Sequence, residues 1–196
     1  MKTILIFVTS LDGKITRWGD RDVRLWSSAD DQQYFDSVWK DSHVIIMGRE
    51  TYTSSPVHAG SNHIFIVMTR HPEKYTDKNV PGKLEFTNED PLSLIRRFED
   101  NGEQAVLVVG GSEIATLFLR EKLISEIWLT IEPKIFGTGG SFVTEDKIDI
   151  DLKLLSCDRL NEKGTLVLKY GVEHGAQGAE HGAQGTGHRA QGEHRA

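Results

Sequence analysis

Three short stretches of the sequence carry groups suited to holding a phosphate. Gly48-Arg49-Glu50-Thr51, Thr69-Arg70 and Gly110-Gly111-Ser112 each follow an apolar run, and each offers glycine, hydroxyl or guanidinium groups. Such groups bind phosphate through backbone N–H, O–H and charge-assisted donors, most effectively at the start of a helix. Taken singly, each has a plainer reading. Two adjacent glycines make a tight turn, and an arginine after a strand is ordinarily a solvated surface charge. Three such sets at equivalent places make a nucleotide site the better reading. Other chemistries lack support. The Gly-x-Gly-x-x-Gly fingerprint, a Walker lysine motif, a nucleophile elbow, His-Glu-x-x-His and a Cys/His ligand set are all absent from the body of the chain, so no metal site is expected.

These stretches must be positioned by the elements around them, and the hydrophobic pattern supplies those elements. Apolar runs predict strands at Ile4 to Val8, His43 to Met47, Ile64 to Met68, Leu84 to Phe86, Val106 to Val109 and Ile127 to Ile131. Between them lie helical patterns. Ser27 or Ser28 caps the first, with Asp30 and Asp31 at its positive end and Tyr34, Phe35, Val38 and Trp39 as its inward stripe. Asp90-Pro91 starts a second helix and Asn101-Gly102 ends it, and a third runs from Ser112 to Lys122. Two late alternating runs, Leu152 to Cys157 and Thr165 to Tyr170, suit antiparallel strands closing an edge. The fold class is therefore α/β: a mostly parallel sheet with antiparallel C-terminal strands and helices on both faces. Such sheets bind ligands beyond the carboxyl ends of their strands. Residues just after Val8, Met47, Met68, Val109 and Ile131 should ring the site.

Composition narrows the partners. A net charge of −6 argues against unspecific binding to nucleic acid or an anionic membrane, leaving a small molecule as the expected partner. The one cysteine, Cys157, excludes an internal disulfide and reads as a half-buried strand residue. No stretch is long enough to span a membrane. The apolar N-terminus ends at Ser10-Leu-Asp-Gly-Lys14 without a small-residue cleavage site, so it reads as a first strand, and a cytoplasmic location is expected. Residues 1 to 171 form one expected domain. From Val172 the composition changes to Gly, Ala, Gln, Glu, His and Arg, with His174-Gly-Ala-Gln-Gly178 repeated from His181. That stretch, 172 to 196, is expected to be a disordered tail, since it has no apolar groups to offset the entropy of ordering. Its four histidines recur at intervals of seven, seven and six, which is not a metal-ligand spacing.

Four motifs in order carry a resemblance: Ser10-Leu-Asp-Gly-Lys14, Met47-Gly-Arg-Glu-Thr-Tyr52, Val109-Gly-Gly-Ser112 and Ile127-Trp-Leu-Thr-Ile-Glu-Pro-Lys-Ile-Phe-Gly137. Together they resemble the dihydrofolate-reductase-like superfamily, and more narrowly the reductase domain of the riboflavin-pathway deaminase-reductase and its stand-alone relatives. The resemblance implies NADPH, a three-layer fold around a central, mostly parallel sheet, and a homodimer. Gly48, Arg49 and Thr51 match the stretch holding the cofactor's adenosine phosphates and pyrophosphate. Thr69 and Arg70 match the pair that reads the ribose 2′-phosphate, favouring NADPH over NADH. Gly110, Gly111, Ser112, Glu113 and Ile114 match the second pyrophosphate cradle, and Val8 and Trp26 match positions near the nicotinamide. Trp26 has an alternative reading as a core aromatic under the loop. There are departures as well. Val109 stands where riboflavin-pathway enzymes place a glutamate, Ser54-Ser-Pro56 replaces their Asp-Asp-Pro, and Ala115 replaces the tyrosine of dihydrofolate reductases.

Hydride transfer, the chemistry this family implies, needs a proton source beside the acceptor and exclusion of water. Asp12, Asp30 and Asp31 are the candidates. Each has a plainer role, Asp12 in its Asp-Gly turn and the other two at a helix dipole. Thr130 matches the threonine that supports the substrate-holding acid. The loop Ser10 to Leu25 reads as a lid whose Arg17, Arg21 and Arg24 would meet an anionic substrate. The expected function is NADPH-dependent reduction of a small pterin-, pyrimidine- or ribosylamino-pyrimidine-like molecule. The alternatives are a catalytically silent NADPH-binding sensor or scaffold and, more distantly, a flavin-binding module.

Overall fold

The computed structural model describes residues 1–60 and 62–173. In chain order the elements are β1 (Lys2–Ser10), α1 (Ala29–Asp41), β2 (Val44–Gly48), α2 (Arg49–Ser54), β3 (Ile64–Met68), β4 (Leu84–Thr87), α3 (Pro91–Asp100), β5 (Ala105–Val108), α4 (Ser112–Arg120), β6 (Glu126–Glu132), β7 (Asp151–Arg159) and β8 (Leu166–Glu173). They build one eight-stranded sheet in the order β4-β3-β2-β5-β1-β6-β8-β7. The strands β1 to β6 pair in parallel, whereas β8 runs antiparallel to both β6 and β7. This is the expected α/β arrangement with its antiparallel C-terminal edge.

Alternation along the strands sorts the core into two layers, because successive side chains point to opposite faces. Leu5, Val44, Ile46, Ile66, Met68, Val106 and Val108 face Leu94, Ile95 and Phe98 of α3 and Ala115, Phe118 and Leu119 of α4. Ile4, Ile6, Ile45, Met47, Phe65, Val67 and Leu107 face the other way, against Tyr34, Phe35, Val38 and Trp39 of α1 and Tyr52 of α2. The inward stripe expected for α1 is thus in place. The caps are as the sequence suggests: Ser28 accepts the Asp31 N–H, and Asp90 accepts the Ser93 N–H ahead of a proline at the start of α3.

The structure corrects several readings. Cys157 lies on β7 as expected but is exposed, not half-buried. Neither core cluster includes a β7 residue, so the outermost strand has no covering layer. The short helix α2 was not evident in the sequence, because six residues containing two threonines carry no helical periodicity. The third expected helix ends at Arg120, two residues early, and Lys122 then takes a positive φ of 55°. The last strand continues through Glu173, three residues past the expected Tyr170. The tail beyond it, with its four histidines, lies outside the described residues.

Candidate active site

The carboxyl ends of the parallel strands open into one cleft of about 1680 Å³, larger than the roughly 300–1,000 Å³ that one drug-sized ligand occupies. It has room for a dinucleotide beside a second small molecule. Its walls include Val8, Gly48, Arg49, Thr51, Thr69, Arg70, Val109, Gly110, Gly111, Ser112, Glu113 and Ile114. The three donor-bearing stretches, separated by tens of residues in sequence, therefore share one surface.

Close backbone approach builds one half of this surface. The Gly48 N–H donates to the Gly110 carbonyl at 2.8 Å, joining the end of β2 to the turn after β5. A Cβ at Gly48 would stand 2.9 Å from the Ile114 side chain. Gly110 has φ +109°, and a Cβ there would come within 3.1 Å of the Phe7 ring. The Gly110-Gly111 peptide is cis. Helix α4 starts at once after Gly111 without a side-chain cap. Its first N–H groups and positive dipole end are thus presented to the cleft, the arrangement that suits an anion. Thr51 lies beside the same turn, its hydroxyl 3.5 Å from where a Gly111 Cβ would be. Arg49 pairs with Glu50, and Glu50 also pairs with Arg21 of the long loop. The loop is thereby latched to the helix that carries the candidate phosphate ligand.

The other half of the cleft is acidic at its floor and apolar on its side. Asp31 is 4% exposed and faces the cleft beside Thr130, itself buried on β6. Burial is the main cause that pushes the Asp31 pKa up to about 6; the Thr130 and Ser27 hydroxyls oppose the rise, and the charge of Glu132 adds to it. Ser27 Oγ is close enough to favour the charged form yet has no partner in hydrogen-bond geometry. Phe35, Trp39, Pro56 and Val57 line the side wall.

The remaining candidates stand elsewhere. Asp30 is exposed, outside the cleft, and accepts a bond from Asn161 Nδ2 at 2.9 Å. Asp12 is exposed and holds the loops together: it accepts from Ser10 Oγ at 2.6 Å, Gly137 N at 2.8 Å and Phe136 N at 3.1 Å. The Ser10 hydroxyl, followed by those N–H groups, holds its pKa down at about 2. Trp26 is buried under the long loop, edge-on to Phe136 at 5.1 Å, and does not line the cleft. Arg21 and Arg24 reach the cleft wall, whereas Arg17 does not.

Sequence reasoning missed two features. Glu132 is 2% exposed, and it accepts the Ser28 N–H at 2.6 Å and the Thr165 hydroxyl at 3.0 Å. Its one sequence signal is an acid at the very end of an apolar strand, directly before Pro133. Of the apolar side wall, Phe35 and Trp39 were legible only as core, since periodicity does not say which flank of a helix faces a cavity. Among the described residues no cluster of His, Cys, Asp and Glu could hold a metal ion, and no helix is long and apolar enough to cross a membrane.

The profile of the RibD C-terminal domain matches residues 1–166. The chain belongs to that family. The uncharacterized protein YwjB of Bacillus subtilis (strain 168) is 28% identical over 148 residues, covering 70% of this chain and 80% of its own. A putative dihydrofolate reductase of Caenorhabditis elegans is 33% identical over 143 residues, covering 66% of this chain and 70% of its own. Among solved structures, a putative riboflavin biosynthesis protein from Shewanella sp. PV-4 superposes with a TM-score of 0.69 at 20% identity, over 88% of this chain and 99% of that one. Dihydrofolate reductase from Enterococcus faecalis, solved with NADP(H) and RAB-propyl, gives 0.62 at 18% identity, over 87% and 96%. The RibD C-terminal domain and dihydrofolate reductase share this fold, and the present chain has it.

Proposed function

We propose that this RibD-type domain is an NADPH-dependent reductase acting on a small pterin- or pyrimidine-like heterocycle. The observation that carries the reading is the pairing, in one cleft, of a phosphate-donor row with a buried carboxyl, Asp31, standing beside Thr130. The cradle fits the cofactor's pyrophosphate, because the glycines after β5 line the cleft and lead into a helix start whose N–H groups have no side-chain cap. Arg49, Thr51, Thr69 and Arg70 supply donors for the remaining phosphates, and an arginine with a hydroxyl favours a 2′-phosphate over a free 2′-OH. Bound NADPH would supply hydride. The protein's part is to orient the heterocycle against it, to exclude water with the loop Leu11–Leu25, and to hold a proton at the Asp31 carboxyl. An acid with a pKa of about 6 is suited to that task near neutral pH. The names of the structural neighbours, a riboflavin biosynthesis protein and a dihydrofolate reductase solved with NADP(H), support the same reading. Cytoplasmic residence accords with it.

Calorimetric titration tests the cofactor assignment. Charge-assisted bonds contribute roughly 1.5–3 kcal/mol each. The double variant Arg49→Ala, Arg70→Ala should therefore bind NADPH at least about a hundredfold more weakly, while its NADH affinity changes far less. Equal NADPH affinity in variant and wild type would remove the assignment.

The homodimer implied by the family resemblance has a surface to form on. β7 leaves one edge unpaired and exposes Leu152, Leu154 and Leu155, and a second copy adding strand to strand would cover it. Sedimentation should show a dimer, and Leu154→Lys, Leu155→Lys should give a monomer. A wild-type monomer at micromolar concentration would dismiss the dimer.

A further inference from the structure

Glu132 is a fully buried acid that the reaction described above does not use. It lies two residues after Thr130 on β6, so alternation puts both side chains on the face that α1 covers. One carboxyl oxygen accepts the Ser28 N–H at 2.6 Å, and the other accepts the Thr165 hydroxyl at 3.0 Å. Ser28 is the N-cap of α1, and its hydroxyl in turn accepts the Asp31 N–H at 3.2 Å. Asn161 completes the clasp from the turn between β7 and β8, donating to Thr165 Oγ1 and to Asp30 Oδ2, each at 2.9 Å. The first turn of α1 is therefore tied at its backbone to the strand that carries Thr130, and the tie passes through Glu132.

We propose that Glu132 is a positioning residue for the reductase site: by fastening the start of α1 it fixes the Asp31 carboxyl against Thr130 at the cleft floor. The inference rests on the assignment of Asp31 as the proton-holding group. It also accounts for the residue type. A glutamine could accept from Ser28 and donate to the Thr165 oxygen, so the hydrogen bonds alone do not require an acid. Burying a carboxyl is costly unless it is well paired. What the acid adds is a like charge near Asp31, which favours the protonated form of that carboxyl. The other ionisable groups around Asp31 are Tyr34, on the same face of α1, and, around that ring, Asp158 of β7 and Lys169 of β8. Asp30 is turned out to Asn161.

The test needs neither cofactor nor substrate. The Asp31 carboxyl carbon is followed by NMR through a pH titration, with Asp31→Asn identifying its signal, and exchange of the Ser28 and Asp31 amides is measured alongside. In Glu132→Gln the amides should stay protected while the Asp31 midpoint moves to lower pH by about half a unit. In Glu132→Ala both amides should also exchange at least about tenfold faster. An Asp31 midpoint unmoved in Glu132→Gln overturns the proposal, as does wild-type amide protection in Glu132→Ala. If Glu132→Ala does not fold, the titration of Glu132→Gln decides alone. Failure of the Asp31 assignment would show separately, as turnover that survives Asp31→Asn.

Discussion

Asp31→Asn is expected to lower kcat/KM for NADPH-dependent reduction of dihydropteridine and aminopyrimidine probes by about 10²–10⁴-fold, the range that a positioned proton donor contributes. NADPH affinity should stay within about twofold, because Asp31 sits across the cleft from the phosphate donors. The pH profile has a definite sign. With a pKa near 6, Asp31 is protonated below that value, so wild-type kcat/KM should decline as pH rises through about 6, and the limb should vanish in the variant. Stability should also fall as pH rises. A carboxyl whose folded pKa lies above the ordinary 3.8 binds its proton more tightly folded than unfolded. The native state is therefore penalised progressively as pH rises from about 4 to about 6. Removing the charge should make Asp31→Asn more stable than wild type at pH 7, by on the order of 2 kcal/mol, less whatever its hydroxyl contacts contribute. Thermal melts at pH 4 and pH 7 check this. A variant that keeps its turnover would show that the proton comes from elsewhere.

Gly139→Ala should produce the second large effect, through the loop that walls the cleft. Gly139 has φ +151°, and a Cβ there would lie 2.0 Å from the Thr16 carbonyl oxygen. That neighbour is backbone, so no side-chain rotation relieves the clash. The surrounding contacts fasten the loop to the 139–141 segment: Ile15 N–H donates to Gly140 O at 2.8 Å, Gly140 N–H to Thr16 Oγ1 at 2.7 Å, and Lys14 bridges to Ser141. Ile15, Thr16, Gly19 and Arg21 all line the cleft. Pushing Thr16 away should open the wall, raising KM and lowering kcat together by about tenfold or more, with faster amide exchange at Ile15. Gly140→Ala is the matched control, because a Cβ there meets Thr16 and Ile15 only at 3.5–3.9 Å, ordinary contact. Equal behaviour of the two variants would show that the loop is not braced at Gly139.

The sequence alone was enough for the fold class, the two-sided core and the donor-bearing strand ends that line one cleft. Each of these rests on local information: period-two and helical alternation, caps such as Ser28 and Asp90, and glycines at strand ends. A parallel sheet then gathers its strand ends without further instruction, which is why Gly48, Arg70 and Gly110 meet although they lie far apart in the chain. Which acid reaches the cleft depended on tertiary structure. Asp30 and Asp31 are neighbours with the same local signals, yet helical rotation turns one to Asn161 in solvent and buries the other against Thr130. Asp12 carries the same formal charge, but three donors from Ser10, Phe136 and Gly137 commit it to holding loops. Glu132 was invisible for a related reason. Its partners, Ser28 and Thr165, are 104 and 33 residues away, and burial, which gives an acid its influence on a neighbour, belongs to the packed chain and not to any stretch of it.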